Sequence, residues 1–367
     1  MTPRVAIIGA GIAGAGIAYF LRGRAEITLV EAEAQPGYHT TGRSAAFYAE
    51  TYGGPAIQPL TTASKEFFES PPDGFAAVPL LGPRGGLHVA TAAALDELDE
   101  LERSFEGTGV TIERLAAVEI AAQVPQLAEA WTAGALWEPD CRDIEVAALH
   151  QGFLAGARRA GARLLTDAVV QELEPRGSGW TIETAGARIE ADIVVDAAGA
   201  WGDRVAALAG IAPLGLQPLR RTVAVIDVDP PVPADLPLVI AADGSFYFKP
   251  DAGRLWVSPH DEIPAEPGDT QPEEYDVALA IDRFERATTW RVKRLERAWA
   301  GLRTFAPDRV PVYGFEPTVP GFFWCVGQGG FGIQTAPAAS RMAAALLLGE
   351  AVPAGLDPGC YRPDRFR

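Results

Sequence analysis

The chain opens with a strand, a glycine turn and a helix that together leave little choice of fold. Arg4-Val5-Ala6-Ile7-Ile8 is an apolar run sized for one buried strand, and Gly9-Ala10-Gly11-Ile12-Ala13-Gly14 follows it directly. Each glycine has its own task. Gly9 permits a tight turn off the strand, Gly11 lets the backbone approach a pyrophosphate, and Gly14 lets the helix pack close to the sheet. The helix N-terminus then faces phosphate charge. A second strand, Glu26-Ile27-Thr28-Leu29-Val30, runs into Glu31, twenty residues after Gly11. A carboxylate there accepts bonds from ribose hydroxyls and disfavours a 2′-phosphate. A lone glycine motif says little; strand, helix and distal acid in register predict dinucleotide binding.

At 367 residues the chain exceeds the ~250–300 residues at which single cores stop growing, so two domains or one large domain with an insertion are expected. The formal net charge of −17 argues against nucleic acid or an anionic membrane surface as partner. Cys141, Cys325 and Cys360 are far apart and form no CxxC or metal-like spacing. That excludes a disulfide framework and a flavin enzyme relying on a closely spaced redox pair. The nucleotide strand starts at residue 4, no room is left for a cleavable signal peptide, and no apolar run reaches the ~20 residues needed to span a bilayer. A cytoplasmic protein without an integral membrane segment is the expectation.

Further along, helices are expected over Pro59–Phe68, Ala92–Glu106, Leu149–Ala160, Val277–Arg294 and Pro337–Leu348. Strands are expected at Gly86–Ala90, Arg163–Leu165, Ala168–Val170, Val223–Ile226, Ser245–Lys249 and Leu255–Val257, with a hairpin over residues 180–189. Apolar strands also lead into glycine turns at 199–202 and 327–332. Turns of this kind gather at one edge of a parallel sheet, where ligands bind. The fold class is therefore α/β (α+β overall). A discontinuous Rossmann-like domain would comprise residues 1–78, 146–215 and 306–367, and a sheet-rich substrate domain residues 79–145 and 216–305.

The N-terminal turn with Glu31, the Ala197-Ala198-Gly199-Ala200-Trp201 turn and the late Gly327-Gln328-Gly329-Gly330-Phe331-Gly332 run together resemble the D-amino-acid oxidase superfamily of FAD enzymes. Within it the chain is most similar to bacterial D-arginine dehydrogenase-like enzymes. Gly37-Tyr38-His39-Thr40-Thr41-Gly42-Arg43-Ser44-Ala45-Ala46, Ser245-Phe246-Tyr247-Phe248-Lys249 and Trp299-Ala300-Gly301-Leu302-Arg303 carry that likeness. The resemblance implies FAD, with its pyrophosphate over Gly9, Gly11, Ile12, Ala13 and Gly14 and its adenosine near Glu31, Ala32 and Val169. Thr41, Gly42, Arg43, Ser44, Ala45 and Ala46 would run along the cofactor, with Ala198, Gly199 and Trp201 beside it. Gly330, Phe331, Gly332, Ile333, Gln334 and Thr335 would meet the pyrimidine end of the flavin. There a helix N-terminus stabilises the charge of the reduced ring by roughly 0.3–2 kcal/mol.

The same resemblance implies oxidation of a D-amino acid to its imino acid by hydride transfer from Cα to flavin N5, then hydrolysis to a 2-oxo acid and ammonia. By family position Arg221 or its neighbour Arg220, together with Arg303, Tyr247 and Tyr52, would hold the substrate; a guanidinium fork suits a carboxylate. Tyr247 is set opposite Phe246 and Phe248 by strand alternation. His39 and Arg43 read as cofactor-loop residues, His150 and His260 as structural or exposed, and Cys325 as core. Two departures from the arginine-type pattern, Phe47 for a histidine and Arg84-Gly85-Gly86-Leu87 where that pattern has a glutamate, favour a neutral or aromatic side chain over arginine. Arg84 could even meet an acidic substrate. Secondary amino acids, 2-hydroxy acids and a non-autonomous FAD-binding subunit remain alternatives, and the electron acceptor, quinone-like or O2, is left open.

Overall fold

A computed structural model describes residues 2–367. The first strand, Arg4–Ile8, lies inside a six-stranded sheet ordered Val312–Phe315, Phe322–Val326, Ile193–Asp196, Arg4–Ile8, Glu26–Val30, Arg163–Leu165. All neighbours are parallel except the first pair. Alternation assigns the two faces. Val5 and Ile7 point into a core built with the helices Ile12–Leu21, Val146–Arg159 and Gly332–Leu348. Ala6 and Ile8 point into a second core, closed by the meander Val170–Arg176, Gly179–Thr184, Arg188–Ala191 and by the helix Gly202–Leu208.

A second, ten-stranded sheet draws its strands from residues 86–138 and 217–305, with the short strand Gln328–Gly329 at one end. Its longest pair is Gln217–Asp229 against Arg291–Phe305, antiparallel from Gln217↔Phe305 to Asp229↔Arg291. Ala224, Ile226 and Val228 face a core shared with the helix Glu274–Ala287. The odd-numbered Arg221 and Val223 face the other way, towards the first sheet, and line a cavity between the two. No helix among the described residues is long and apolar enough to cross a membrane.

Several expected elements shift. The helix expected to reach Arg294 stops at Ala287, where its buried positions Val277, Ala280, Phe284 and Ala287 end. Residues 291–297 are claimed instead by pairing with Gln217–Asp229, a long-range bond set that local periodicity does not register. The last helix starts at Gly332, inside the glycine turn, and accommodates Pro337. Val169 falls in the connection before Val170–Arg176 rather than in a strand.

Candidate cofactor and substrate site

The C-terminal ends of Arg4–Ile8, Ile193–Asp196 and Phe322–Val326 all turn at glycines, and all three turns border one continuous cavity of about 560 Å3. Gly9 has φ +97°, and a Cβ there would lie 2.5 Å from the Ala197 carbonyl oxygen. A Cβ on Gly14 would lie 2.0 Å from the Gly9 oxygen. Both glycines are thus required by close approach of backbone to backbone. Glu31 accepts from the N–H groups of Ala10 (2.8 Å) and Glu33 (3.0 Å), which fixes its carboxylate at the cavity wall. The Thr41 hydroxyl accepts from Ile12 N–H at 3.0 Å, so one helix N-terminal donor is already committed. The loop carrying Thr41 is tied to the large sheet. Thr40 donates to the Leu302 carbonyl (2.8 Å), and the Trp299 indole donates to the Arg43 carbonyl (3.0 Å).

Far from Glu31, the cavity is walled by Arg221, Arg303, Tyr52, Tyr247, Phe47, Ile240 and His260. Arg221 and Arg303 are 7% and 9% exposed. Arg221 Nε donates to the Asp261 carbonyl at 2.6 Å. Glu262 Oε1 lies 3.4 Å from Arg221 Nη2, 3.2 Å from Arg303 Nη1 and 2.8 Å from Arg309 Nη2. Arg303 also donates to the Tyr52 hydroxyl. Burial and then the Arg303 charge lower the Arg221 pKa. Burial alone would raise that of Glu262, but the hydrogen bond from Arg309 and the charges of Arg303, Arg309 and Arg221 outweigh it, so the carboxylate is held ionised. Burial raises the Tyr247 phenol, which therefore stays a hydroxyl donor. Three guanidiniums, Arg221, Arg303 and Arg309, against two carboxylates, Glu262 and Asp261 (3.8 Å from Arg221 Nε), leave this end electropositive.

Gly330 explains how Arg303 fits. A Cβ at that position would lie 2.0 Å from Arg303 Nη2, so the missing side chain is the room the guanidinium occupies. The choice between Arg220 and Arg221 is made by strand alternation. Arg220 points to the opposite face, bonded to Glu273 and, at 2.7 Å, to Asp276.

The sequence profile described as DAO, FAD dependent oxidoreductase, matches residues 4–346. The chain belongs to this family. Over 362 residues it is 25% identical to glycine oxidase from Geobacillus kaustophilus, covering 94% of this chain and 92% of that one. The fold is that of L-proline dehydrogenase from P. horikoshii, with a TM-score of 0.87 at 22% identity over 100% of this chain and 98% of that one. It is equally that of L-amino acid deaminase from Proteus vulgaris, with a TM-score of 0.84 at 16% identity over 99% and 97%.

FAD is accordingly the cofactor of this oxidoreductase, and its residues fit the group. The cradle of Gly9, Gly11 and Ala13, the fixed Glu31 and the turns at 198–201 and 328–332 border one cavity. Of the residues singled out in the sequence, Gly9, Gly11, Ile12, Ala13, Glu31, Ala32, Thr41, Arg43, Ser44, Ala45 and Ala46 line it. So do Val169, Ala198, Gly199, Trp201, Gly330, Gly332, Ile333 and Gln334. Gly14, Gly42, Phe331 and Thr335 do not, and each has a supporting task instead. Gly14 lets the helix approach Gly9, and Gly42 N–H closes the loop onto the Gly37 carbonyl at 2.7 Å. Phe331 packs against Tyr52 and Phe305, and the Thr335 hydroxyl donates back to the Phe331 carbonyl at 2.9 Å.

Arg43 borders the cavity, yet its guanidinium is spent on the Thr270 and Ala300 carbonyls and on Asp269. Arg84 is a plain correction. It lines no part of the cavity; its guanidinium bonds Asp143 (2.9 and 2.6 Å) and the Leu236 carbonyl (2.8 Å), so it cannot greet a substrate. His150 is structural, bonding the Ala10 carbonyl at 2.8 Å. His260 is the residue that sequence reasoning misplaced: it lines the cavity beside Tyr247, with ring centroids 5.7 Å apart. No local signal marks it, since the loop 259–262 is drawn inward by Asp261 and Glu262 bonding the strand Gln217–Asp229 and its arginine.

Proposed function

We propose that this flavoenzyme oxidises a D-amino acid with a neutral or aromatic side chain to the imino acid, which water hydrolyses to a 2-oxo acid and ammonia. The observation that carries the reading is the charge pattern of the cavity. Arg221 and Arg303 are its cations at the far end, whereas the only acids among its lining residues, Glu31 and Glu33, stand at the other end. A substrate carboxylate answers two buried guanidiniums. A cationic side chain would find no carboxylate on the wall, and burying it unpaired is costly.

Bound FAD supplies the two-electron acceptor for the Cα–N bond. The chain's residues hold the substrate for it. Arg221 and Arg303 fork the carboxylate, and the Tyr52 and Tyr247 hydroxyls add donors. Phe47, Ile240 and the Tyr247 ring shape the space for the side chain and keep water from it. The carboxylates at this end, Glu262 and Asp261, are committed to the arginines and to Thr222 and do not line the cavity, and His260 is held neutral, so the reacting form is the substrate whose amine is already neutral. The D-hand is supported by the likeness of the loop 37–46 and of Ser245–Lys249 and Trp299–Arg303 to D-arginine dehydrogenase-like enzymes. The grouping of strands supports a cofactor domain of residues 1–78, 146–215 and 306–367 beside a substrate domain of residues 79–145 and 216–305.

Glycine is the competing substrate, favoured by the similarity to a glycine oxidase over nearly the whole chain, with small secondary amino acids such as sarcosine and proline beside it. Anaerobic loss of the flavin's visible absorbance decides between them. The panel contains D- and L-amino acids, glycine, sarcosine, proline and 2-hydroxy acids. Neutral and aromatic D-amino acids should bleach the flavin fastest; bleaching by glycine, sarcosine, proline or L-amino acids alone would replace this reading.

A further inference from the structure

His260 combines three features that its neighbours do not share. Its backbone has φ +56°, a left-handed conformation that non-glycine residues adopt rarely and that is retained where the surroundings enforce it. The enforcement is visible. Arg283, from the helix Glu274–Ala287, donates to the carbonyls of both Ser245 (2.6 Å) and Pro259 (2.5 Å), locking the two loops together. His260 N–H donates to Ser258 Oγ at 3.2 Å. The imidazole Nδ1 lies 2.9 Å from the Gly244 carbonyl oxygen. A carbonyl only accepts, so Nδ1 carries the proton and Nε2 presents a lone pair.

Nε2 has no hydrogen-bond partner among the described residues, and it is not among the sealed, unpartnered atoms. It is therefore an open acceptor on a residue of the cavity wall. Burial, then the charges of Arg221 and Arg303, lowers the ring's pKa to about 3, which keeps it neutral and an acceptor at any working pH. Its companions at this end of the cavity are the cations Arg221 and Arg303, the Tyr52 hydroxyl that accepts from Arg303, and the apolar Phe47, Ile240 and Tyr247 ring.

We infer that His260 is a specificity-determining residue: its Nε2 accepts a hydrogen bond from a donor on an otherwise apolar substrate side chain, such as a hydroxyl, amide or indole N–H. This rests on the amino-acid reading above and narrows it. An uncommitted acceptor facing Phe47, Ile240 and the Tyr247 ring discriminates because a hydrocarbon side chain leaves it unpaired.

The experiment measures kcat/KM of the FAD-loaded enzyme for matched pairs, D-tyrosine with D-phenylalanine, D-threonine with D-valine, and D-glutamine with D-methionine. Dissociation constants of 3- and 4-hydroxybenzoate against benzoate are measured by calorimetry. The wild type should favour the donor-bearing member of at least one pair by about tenfold or more, one hydrogen bond's worth. His260→Gly, which tolerates the left-handed backbone, should bring that ratio towards one. His260→Asn, which tolerates it too and restores an acceptor, should recover part of it. No preference in any wild-type pair would overturn the assignment, as would a ratio that survives His260→Gly. A uniform loss across both members of every pair would do the same. If His260→Gly fails to fold, the wild-type and His260→Asn ratios still decide. If no amino acid bleaches the flavin, the substrate reading fails by itself, and the hydroxybenzoate-to-benzoate ratio still tests His260.

Discussion

The two ends of the cavity are built by different means. At the cofactor end backbone turns form the wall, with the Glu31 carboxylate set among them. Glycine turns follow three neighbouring strands of one sheet, and Gly9 and Gly14 are pressed so closely on backbone oxygens that no side chain fits. At the substrate end the wall is side chains. Arg221, Tyr247, His260 and Arg303 come from separate strands and a loop of the large sheet, and Tyr52 comes from the N-terminal segment. A backbone site tolerates change in almost everything except its glycines. A side-chain site concentrates its free energy in a few charged groups, each dependent on a partner.

That contrast is open to direct attack. The largest effect belongs to Arg303→Leu, which removes one buried guanidinium, takes the donor from the Tyr52 hydroxyl and leaves Glu262 with only Arg309 and Arg221. Removing one partner of a buried charged contact costs roughly 2–5 kcal/mol, so kcat/KM for a carboxylate substrate should fall at least about a hundredfold while bound FAD is retained. Steady-state kinetics with flavin absorbance as the control would check both halves; loss of FAD together with activity would break the contrast.

Gly330→Ala comes next, because it joins the two ends. Its Cβ would fall on the Arg303 guanidinium, so kcat/KM should drop about tenfold or more through misplacement of that group. The thermal midpoint should move less than for Gly14→Ala. There the obstruction is backbone, and overpacking costs about 1–3 kcal/mol. Calorimetry of the two variants side by side separates the cases.

A pH effect distinguishes the cofactor sheet. Asp196 is fully buried at the end of its strand, accepts one hydrogen bond from Ala198 N–H at 3.0 Å, and leaves Oδ2 unpartnered. Burial raises its pKa to about 8. Because the folded value exceeds the unfolded one, the folded state binds more protons between them. Stability therefore falls as pH rises from about 4 to about 8. Asp196→Asn should flatten that slope in thermal midpoints measured across this range; an unchanged slope would show that other groups set it.

The smallest effect is expected from Arg84→Ala. Its guanidinium serves Asp143 and two backbone carbonyls outside the cavity. The ranking of substrates by kcat/KM should stay the same, with a thermal midpoint lowered by the loss of that ion pair. A new preference for acidic substrates, or the loss of one, would return Arg84 to the pocket.

Legibility followed the same divide. Gly9, Gly11, Gly14 and Glu31 are readable in one short stretch, because strand, turn and helix are contiguous and glycine alone meets the steric demand. The substrate end was readable only through likeness to known relatives, and then unevenly. Arg303 and Arg221 were singled out, but Arg220 could not be set aside until alternation along Gln217–Asp229 assigned faces. Arg84 and His260 exchanged places. One is adjacent in sequence to a suspected pocket position yet faces Asp143; the other lies in a proline-rich loop with no pattern at all.

The sequence by itself determined the first strand–turn–helix–strand unit, its glycine turn and the acid that follows its second strand, since Arg4–Ile8 and Glu26–Val30 pair directly and lie close in the chain. Tertiary structure alone decided the long strand at Arg291–Phe305, the face on which each arginine stands and the inward turn of His260. Those depend on pairing partners about 40 to 90 residues away, as in Thr222 with Asp261 and Gln217 with Phe305. No local periodicity carries the energy of bonds made at that distance.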